Sequence, residues 1–97
     1  MSASEKQIEA YLVQRAASLN GWAIKLLSTY VAGLPDRLVL MPGGRVAFVE
    51  LKAPGEIPRR IQKFRHMRLG AMGFRVEVIN SIEGVDALLE SLCSDRS

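Results

Sequence analysis

One cysteine and one histidine occur in 97 residues. Cys93 therefore has no intrachain disulfide partner, and a zinc site built from cysteine and histidine within one chain is excluded. A cysteine nucleophile is disfavoured too, since Cys93 lies near the C-terminus with no histidine near it in sequence. Long apolar runs are missing: nothing approaches the ~18 consecutive residues of a membrane span. The start, Met1-Ser2-Ala3-Ser4-Glu5-Lys6, lacks the basic-then-apolar order of a secretory signal. The Gly43-Gly44 pair has neither the following helix nor the Lys-Ser/Thr of a phosphate cradle. Together these absences predict a soluble, intracellular domain with no membrane partner and no small-molecule organic cofactor. Acidic residues are also missing from a long internal stretch, between Glu56 and Glu77.

What is present describes one globular domain spanning 1–97. The chain is 48% apolar and 24% charged, too apolar for a disordered segment. Thirteen Lys and Arg against ten Asp and Glu give a net charge of +3, which permits an anionic partner without demanding one. A domain this small leaves about a third of its unfolded surface exposed, so pairing into a homodimer is a reasonable expectation.

Along the chain, Ser4 and Gln7 form a capping-box pattern that opens a helix carrying Ile8, Leu12, Ala16 and Leu19, with Gly21 as its stop. Residues 22–30 read as a strand, and 30–35 as a loop broken by Gly33 and Pro35. Two further strands, 37–41 and 45–52, flank Pro42-Gly43-Gly44. Pro58 suits the first turn of a helix reaching about Ala71 and closed by Gly73. Residues 74–79 read as a fourth strand, and Ser81 caps a last helix with Val85, Leu88, Leu89 and Leu92 on one face. The order is α-β-β-β-α-β-α. The strand over 45–52 is apolar on both faces, with Val46 and Phe48 on one and Ala47, Val49 and Leu51 on the other. Such a strand needs cover above and below, which predicts an α/β fold with a mixed four-stranded sheet flanked by helices. Tyr11, Trp22 and Phe64 are expected to pack the core.

Glu50 and Lys52 interrupt this pattern. They share one face of a strand whose other positions are apolar, where unpartnered charges are costly. A two-residue turn at Gly43-Gly44 would put Asp36 opposite Leu51 and aim Asp36 and Glu50 at opposite faces. A three-residue loop, with proline at i+1 of a type I turn and Gly44 left-handed, puts Asp36 opposite Glu50. We take the three-residue register. Two carboxylates meeting at close range repel unless a cation joins them, and hard oxygen ligands select Mg²⁺ or Mn²⁺. Such a site suits phosphodiester hydrolysis, with Lys52 beside the attacking water or the developing negative charge. The competing interpretation of these residues is a structural salt bridge at a wet strand end. Pro35 stiffens the approach to Asp36.

Pro35-Asp36 followed by Glu50-Leu51-Lys52 is the PD-(D/E)xK nuclease signature. The longer runs Gly33-Leu34-Pro35-Asp36-Arg37 and Phe48-Val49-Glu50-Leu51-Lys52-Ala53-Pro54-Gly55, with Gln62 downstream and Ser4-Glu5 and Ile8-Glu9 in the first helix, resemble the virus-type replication-repair nuclease (VRR-NUC) domain. The resemblance extends from Glu5 to about Leu89 and implies a restriction-endonuclease-like core. It implies Asp36, Glu50 and the main-chain carbonyl of Leu51 as metal ligands, Lys52 as catalytic lysine and Gln62 as support. A helix-1 glutamate would complete the set, Glu5 for preference and Glu9 as second choice. Compact single-domain forms occur in bacteriophages, which implies the host-cell cytoplasm. Standalone members resemble Holliday junction resolvases and act as dimers on branched DNA. The implied activity is therefore Mg²⁺- or Mn²⁺-dependent, structure-specific DNA cleavage by a homodimer. The alternatives are a nuclease for flaps, nicks or ordinary duplex, and a non-catalytic DNA-binding module on the same fold.

The acid-free stretch supports a DNA partner separately. Arg59, Arg60, Lys63 and Arg65 fall within it, and with Arg37 they are the candidate phosphate contacts. A merely solvated helix face would look similar. With only Phe64 interleaved, the run makes a poor stacking platform for single strands. His66, one helical turn after Gln62, could approach the phosphate, although a lone histidine is more often structural.

Overall fold

The computed structural model describes residues 2–27 and 29–94. Its elements are α1 (Glu5–Ser18), β1 (Trp22–Lys25), β2 (Arg37–Met41), β3 (Arg45–Leu51), α2 (Arg60–Ala71), β4 (Val76–Ile79) and α3 (Ile82–Ser94). The four strands form one mixed sheet in the order β1-β2-β3-β4. The first three are antiparallel neighbours, and β4 lies parallel to β3 after the crossover through α2. The α/β class and the element order are those expected. Met1, Ser28 and residues 95–97 of the expected domain lie outside the described residues.

α1 begins with the reciprocal cap its sequence announces. The Ser4 hydroxyl accepts from the Gln7 N–H at 3.2 Å, and the Gln7 side chain accepts from the Ser4 N–H at 2.8 Å. It ends at Ser18, and its left-handed closing residue falls one place before the expected glycine. Asn20 takes the left-handed conformation (φ 65°). The Gly21 and Asn20 N–H groups then return to the carbonyls of Ala16 and Ala17, at 2.8 and 3.0 Å. This is a Schellman closure, which asparagine tolerates.

The first strand is shorter than the span 22–30. In the register that pairs Lys25 with Arg37, the Leu26 N–H still reaches the Asp36 carbonyl at 2.8 Å. The next partner would be Pro35, which has no N–H to give, so the ladder ends there.

The core occupies one face of the sheet. Ala23, Val39, Met41, Ala47, Val49, Leu51 and Ile79 are buried there beneath Ile8, Leu12 and Ala16 of α1 and the Val85, Leu88, Leu89 and Leu92 stripe of α3. Tyr11 packs against this core and its hydroxyl donates to Asp86 at 2.7 Å. Among the described residues α2 is the helix that packs on the opposite face, against β4, and Gln62 is its one buried residue. Two expectations are corrected here. Phe64 is 51% exposed and Trp22 65% exposed, so neither packs the core. Trp22 sits on edge strand β1, at the far side of the sheet from β4, against which α2 packs.

The β2–β3 hairpin sets the site. Met41 pairs with Arg45 across the three residues Pro42, Gly43 and Gly44. Both glycines have positive φ, +88° and +76°. Proline followed by a positive-φ residue is the requirement of a type II turn, in place of the expected type I, and the register is unchanged.

Candidate active site

Extending the β2–β3 pairing by one residue beyond Arg37 and Val49 sets Asp36 opposite Glu50. Side chains alternate along a strand, so both point away from the buried Val39–Ala47–Val49 face and toward α2. Asp36 is held from two sides. Its carbonyl accepts the Leu26 N–H, and its carboxylate accepts the Leu51 N–H at 2.8 Å. Buried Pro35 leads into it.

Glu50 is 1% exposed. Its Oε2 accepts from the Gln62 side-chain amide at 2.8 Å, and the Lys52 Nζ stands 3.6 Å from the same oxygen. Gln62 is fixed at both ends, because its Oε1 accepts the Arg59 N–H at 2.7 Å and so caps α2. The helix N-terminus and the carboxylate are thus joined through one amide. Glu50 Oε1 is different: it is buried with no hydrogen-bond partner among the described residues. It faces the His66 Nε2 at 3.7 Å, and that nitrogen is also buried and unpartnered.

Burial, then the negative charge of Asp36, pushes the Glu50 carboxyl up to about 7, against the opposing pull of Lys52. Burial and the Lys52 ammonium push the His66 imidazole below its ordinary value, partly offset by Asp36. One ammonium therefore does not satisfy two converging carboxylates. An oxygen-seeking divalent cation fits this deficit, since Asp36, Glu50 and the Leu51 main chain meet where a carboxylate oxygen lacks a partner. Among the described residues no three His, Cys, Asp or Glu side chains form a ready-made cage. The protein would supply part of a coordination shell and leave the remainder to water, as Mg²⁺ sites commonly do.

The other sequence candidates divide. Glu9 is occupied by Arg37, whose guanidinium donates to it at 2.9 and 3.1 Å, with Lys25 4.0 Å away. Arg37 also donates to the Ala23 carbonyl at 3.1 Å, which makes it a brace between α1 and the sheet and removes it from our DNA-facing set. Glu5 opens α1, is exposed, and makes no ion pair or side-chain hydrogen bond among the described residues. Arg59, Arg60 and Lys63 are exposed at the start of α2. Arg65 is half-buried: it donates to the Ala32 carbonyl at 2.9 Å and lies 5.5 Å from the centre of the Phe64 ring. His66 is the group whose place is least evident from sequence; its spacing of four from Gln62, which puts both on one helix face, is the only signal.

The loop before Asp36 is docked on α2. Gly33 has φ +82°, and a Cβ there would stand 2.7 Å from the Ile61 carbonyl oxygen. Gly33→Ala is expected to cost about 1–3 kcal/mol of stability and to push the loop that leads into Asp36 away from Ile61 on α2. Urea unfolding together with Mn²⁺ titration checks this; a stability within 0.5 kcal/mol (roughly the scatter of neutral surface changes) contradicts it.

No family model matches the chain. Over 77 residues it is 46% identical to "Putative nuclease p44" of Acyrthosiphon pisum secondary endosymbiont phage 1, which covers 79% of this chain and 83% of that protein. A solved VRR_NUC domain matches with a TM-score of 0.82 at 33% identity, covering 91% of this chain and 97% of that one. Sequence identity at this level, the shared topology and the Asp36/Glu50/Lys52 strand pair agree, and the chain belongs to the VRR-NUC family.

Proposed function

We propose that the protein is a Mg²⁺- or Mn²⁺-dependent DNA endonuclease that cuts branched DNA, in the manner of a Holliday junction resolvase, as a homodimer. The observation that carries this is the convergence of Asp36 and Glu50 beside Lys52, with one Glu50 oxygen buried and unpartnered. Asp36, Glu50 and the Leu51 carbonyl would hold the ion, and Glu5 would be the helix-1 glutamate that completes the set. When bound, the ion would polarise the phosphoryl oxygen and lower the pKa of water. The chain's own residues do the rest. Gln62 orients Glu50, the Leu51 N–H orients Asp36, and the Lys52 ammonium steadies the attacking water or the charge that builds on the phosphate. Arg59, Arg60 and Lys63 would bind the DNA backbone next to this site. Met67 on α2, Val78 on β4 and Phe74 between them, apolar and exposed, would supply the surface where two copies meet.

Labelled four-way junctions, flaps, nicked and intact duplexes, incubated with Mg²⁺, Mn²⁺ or EDTA, test the proposal. Paired nicks across the junction, dependent on metal, are expected. Cleavage confined to flaps, nicks or duplex would reassign the substrate, and no cleavage of any substrate would leave a binding module. Arg59→Ala, Arg60→Ala and Lys63→Ala should each weaken binding similarly on all sequences and lower the salt slope of log K by about one. An unchanged slope would take those side chains off the phosphates.

A further inference from the structure

We propose that His66 is a nitrogen ligand to the divalent ion and makes the site favour Mn²⁺ over Mg²⁺. This rests on the metal-dependent reading above and adds to it a side chain that the acid-acid-lysine pattern does not contain.

Among the described residues, two buried side-chain polar atoms lack a partner, Glu50 Oε1 and His66 Nε2. They face each other at 3.7 Å, which is too long for a hydrogen bond. A buried polar atom left unpaired costs about 1–3 kcal/mol, and native structures hold few of them. Two such deficits at one point call for one shared partner. Ligand atoms each about 2.1 Å from a common ion stand no more than about 4.2 Å apart, so the observed separation lies within reach of a single cation.

The surroundings limit other partners. The His66 side chain is 13% exposed and the Glu50 side chain 2%, so bulk water does not serve either atom freely. Gln62 already occupies the other Glu50 oxygen, and Lys52 stands nearest that same oxygen, which leaves Oε1 to whatever His66 also meets. Gln62 and His66 lie one turn apart on α2, so a single helix face presents an amide to one oxygen and an imidazole to the other. Nε2 and Oε1 are not prearranged as part of a closed cage; binding would draw them together around the ion. Both ions take the oxygens of Asp36 and Glu50, but Mg²⁺ demands near-ideal octahedral oxygen ligation. Mn²⁺ stands at the start of the first-row series that also binds nitrogen ligands, so an added imidazole tips the balance toward Mn²⁺.

The experiment uses the full chain without DNA and Mn²⁺ as the probe. Manganese electron spin-echo spectra are recorded for the wild type, His66→Ala and His66→Gln, alongside Mn²⁺ and competing Mg²⁺ titrations that also include Glu50→Ala. Imidazole ¹⁴N modulation is expected in the wild type and absent from both His66 variants. Their Mn²⁺ affinity should fall by at least the roughly 10–100-fold that loss of an outer-shell partner costs, with a much smaller loss for Mg²⁺. Saturable Mn²⁺ that is lost on Glu50→Ala but shows no nitrogen modulation in the wild type would overturn this inference and leave the nuclease reading standing. No saturable Mn²⁺ at all would overturn both. The wild-type spectrum decides the matter even if a His66 variant fails to fold.

Discussion

Asp36→Ala and Lys52→Ala are each expected to slow DNA cleavage by roughly 10³-fold or more, with binding of uncut DNA changed only a few-fold. The size follows from what each group does at the reacting centre, where a single preorganised electrostatic partner is worth about 10²–10³ in rate and a displaced metal ion more. The two variants should fail differently. Asp36 converges with Glu50 and accepts the Leu51 N–H, so its loss should remove saturable Mn²⁺ binding as well as cleavage. Lys52 lies 3.6 Å from the Glu50 carboxylate without being a ligand, so its loss should leave Mn²⁺ binding in place and remove cleavage. Single-turnover assays at saturating metal, with circular dichroism to confirm the fold, make the comparison. Either variant cutting at the wild-type rate would take the chemistry away from these strands. Glu9→Gln offers a contrast, because Glu9 is engaged by Arg37 on the other side of the sheet and its loss should leave the cleavage step nearly unchanged.

Glu50→Gln should stabilise the metal-free protein above pH 7, by roughly 1–3 kcal/mol. The folded-state carboxyl titrates near 7, above its ordinary 4.5. Between those values the folded chain therefore binds more protons than the unfolded one. Stability then falls as pH rises from about 4.5 to 7 and is level beyond. His66 works in the opposite direction, since its lowered value means that the folded chain binds fewer protons just below 6.5 and gains stability as pH rises. The wild-type profile mixes the two, so the difference between wild type and Glu50→Gln isolates the carboxyl. Urea unfolding in EDTA should show no difference near pH 4.5 and the full difference at pH 8 (the two sides of the titration). Adding Mn²⁺ at the higher pH should reverse the order, because only the wild type keeps the carboxylate that the ion needs. An equal difference at both pH values would show that Glu50 is not titrating where the burial and the Asp36 charge place it.

Much of this site is legible in the sequence. The apolar run from 46 to 49 marks a doubly flanked strand, and the three-residue loop that Pro42-Gly43-Gly44 favours brings Asp36 across from Glu50. Ser4 with Gln7, and Ser81 before the last apolar stripe, mark the starts of α1 and α3. The exposure of Trp22 was not legible, because amphipathic pattern shows that a residue faces one side of a sheet and not whether a helix covers that side. Nor was the pairing of Glu9 with Arg37, which removes two candidates from the site at once.

Local order came from the sequence alone: caps, breakers, alternation and a hairpin loop act over a few residues and depend on little beyond their neighbours. Docking decided the remainder. Where α2 rests on the sheet determines that Gln62 and His66 meet Glu50 from the same turn-to-turn face, and where α1 rests determines which glutamate is spent on Arg37. Those contacts join residues 12 to 28 positions apart on separate elements, and their geometry is set by packing of whole helices against a twisted sheet, which no short stretch of sequence encodes.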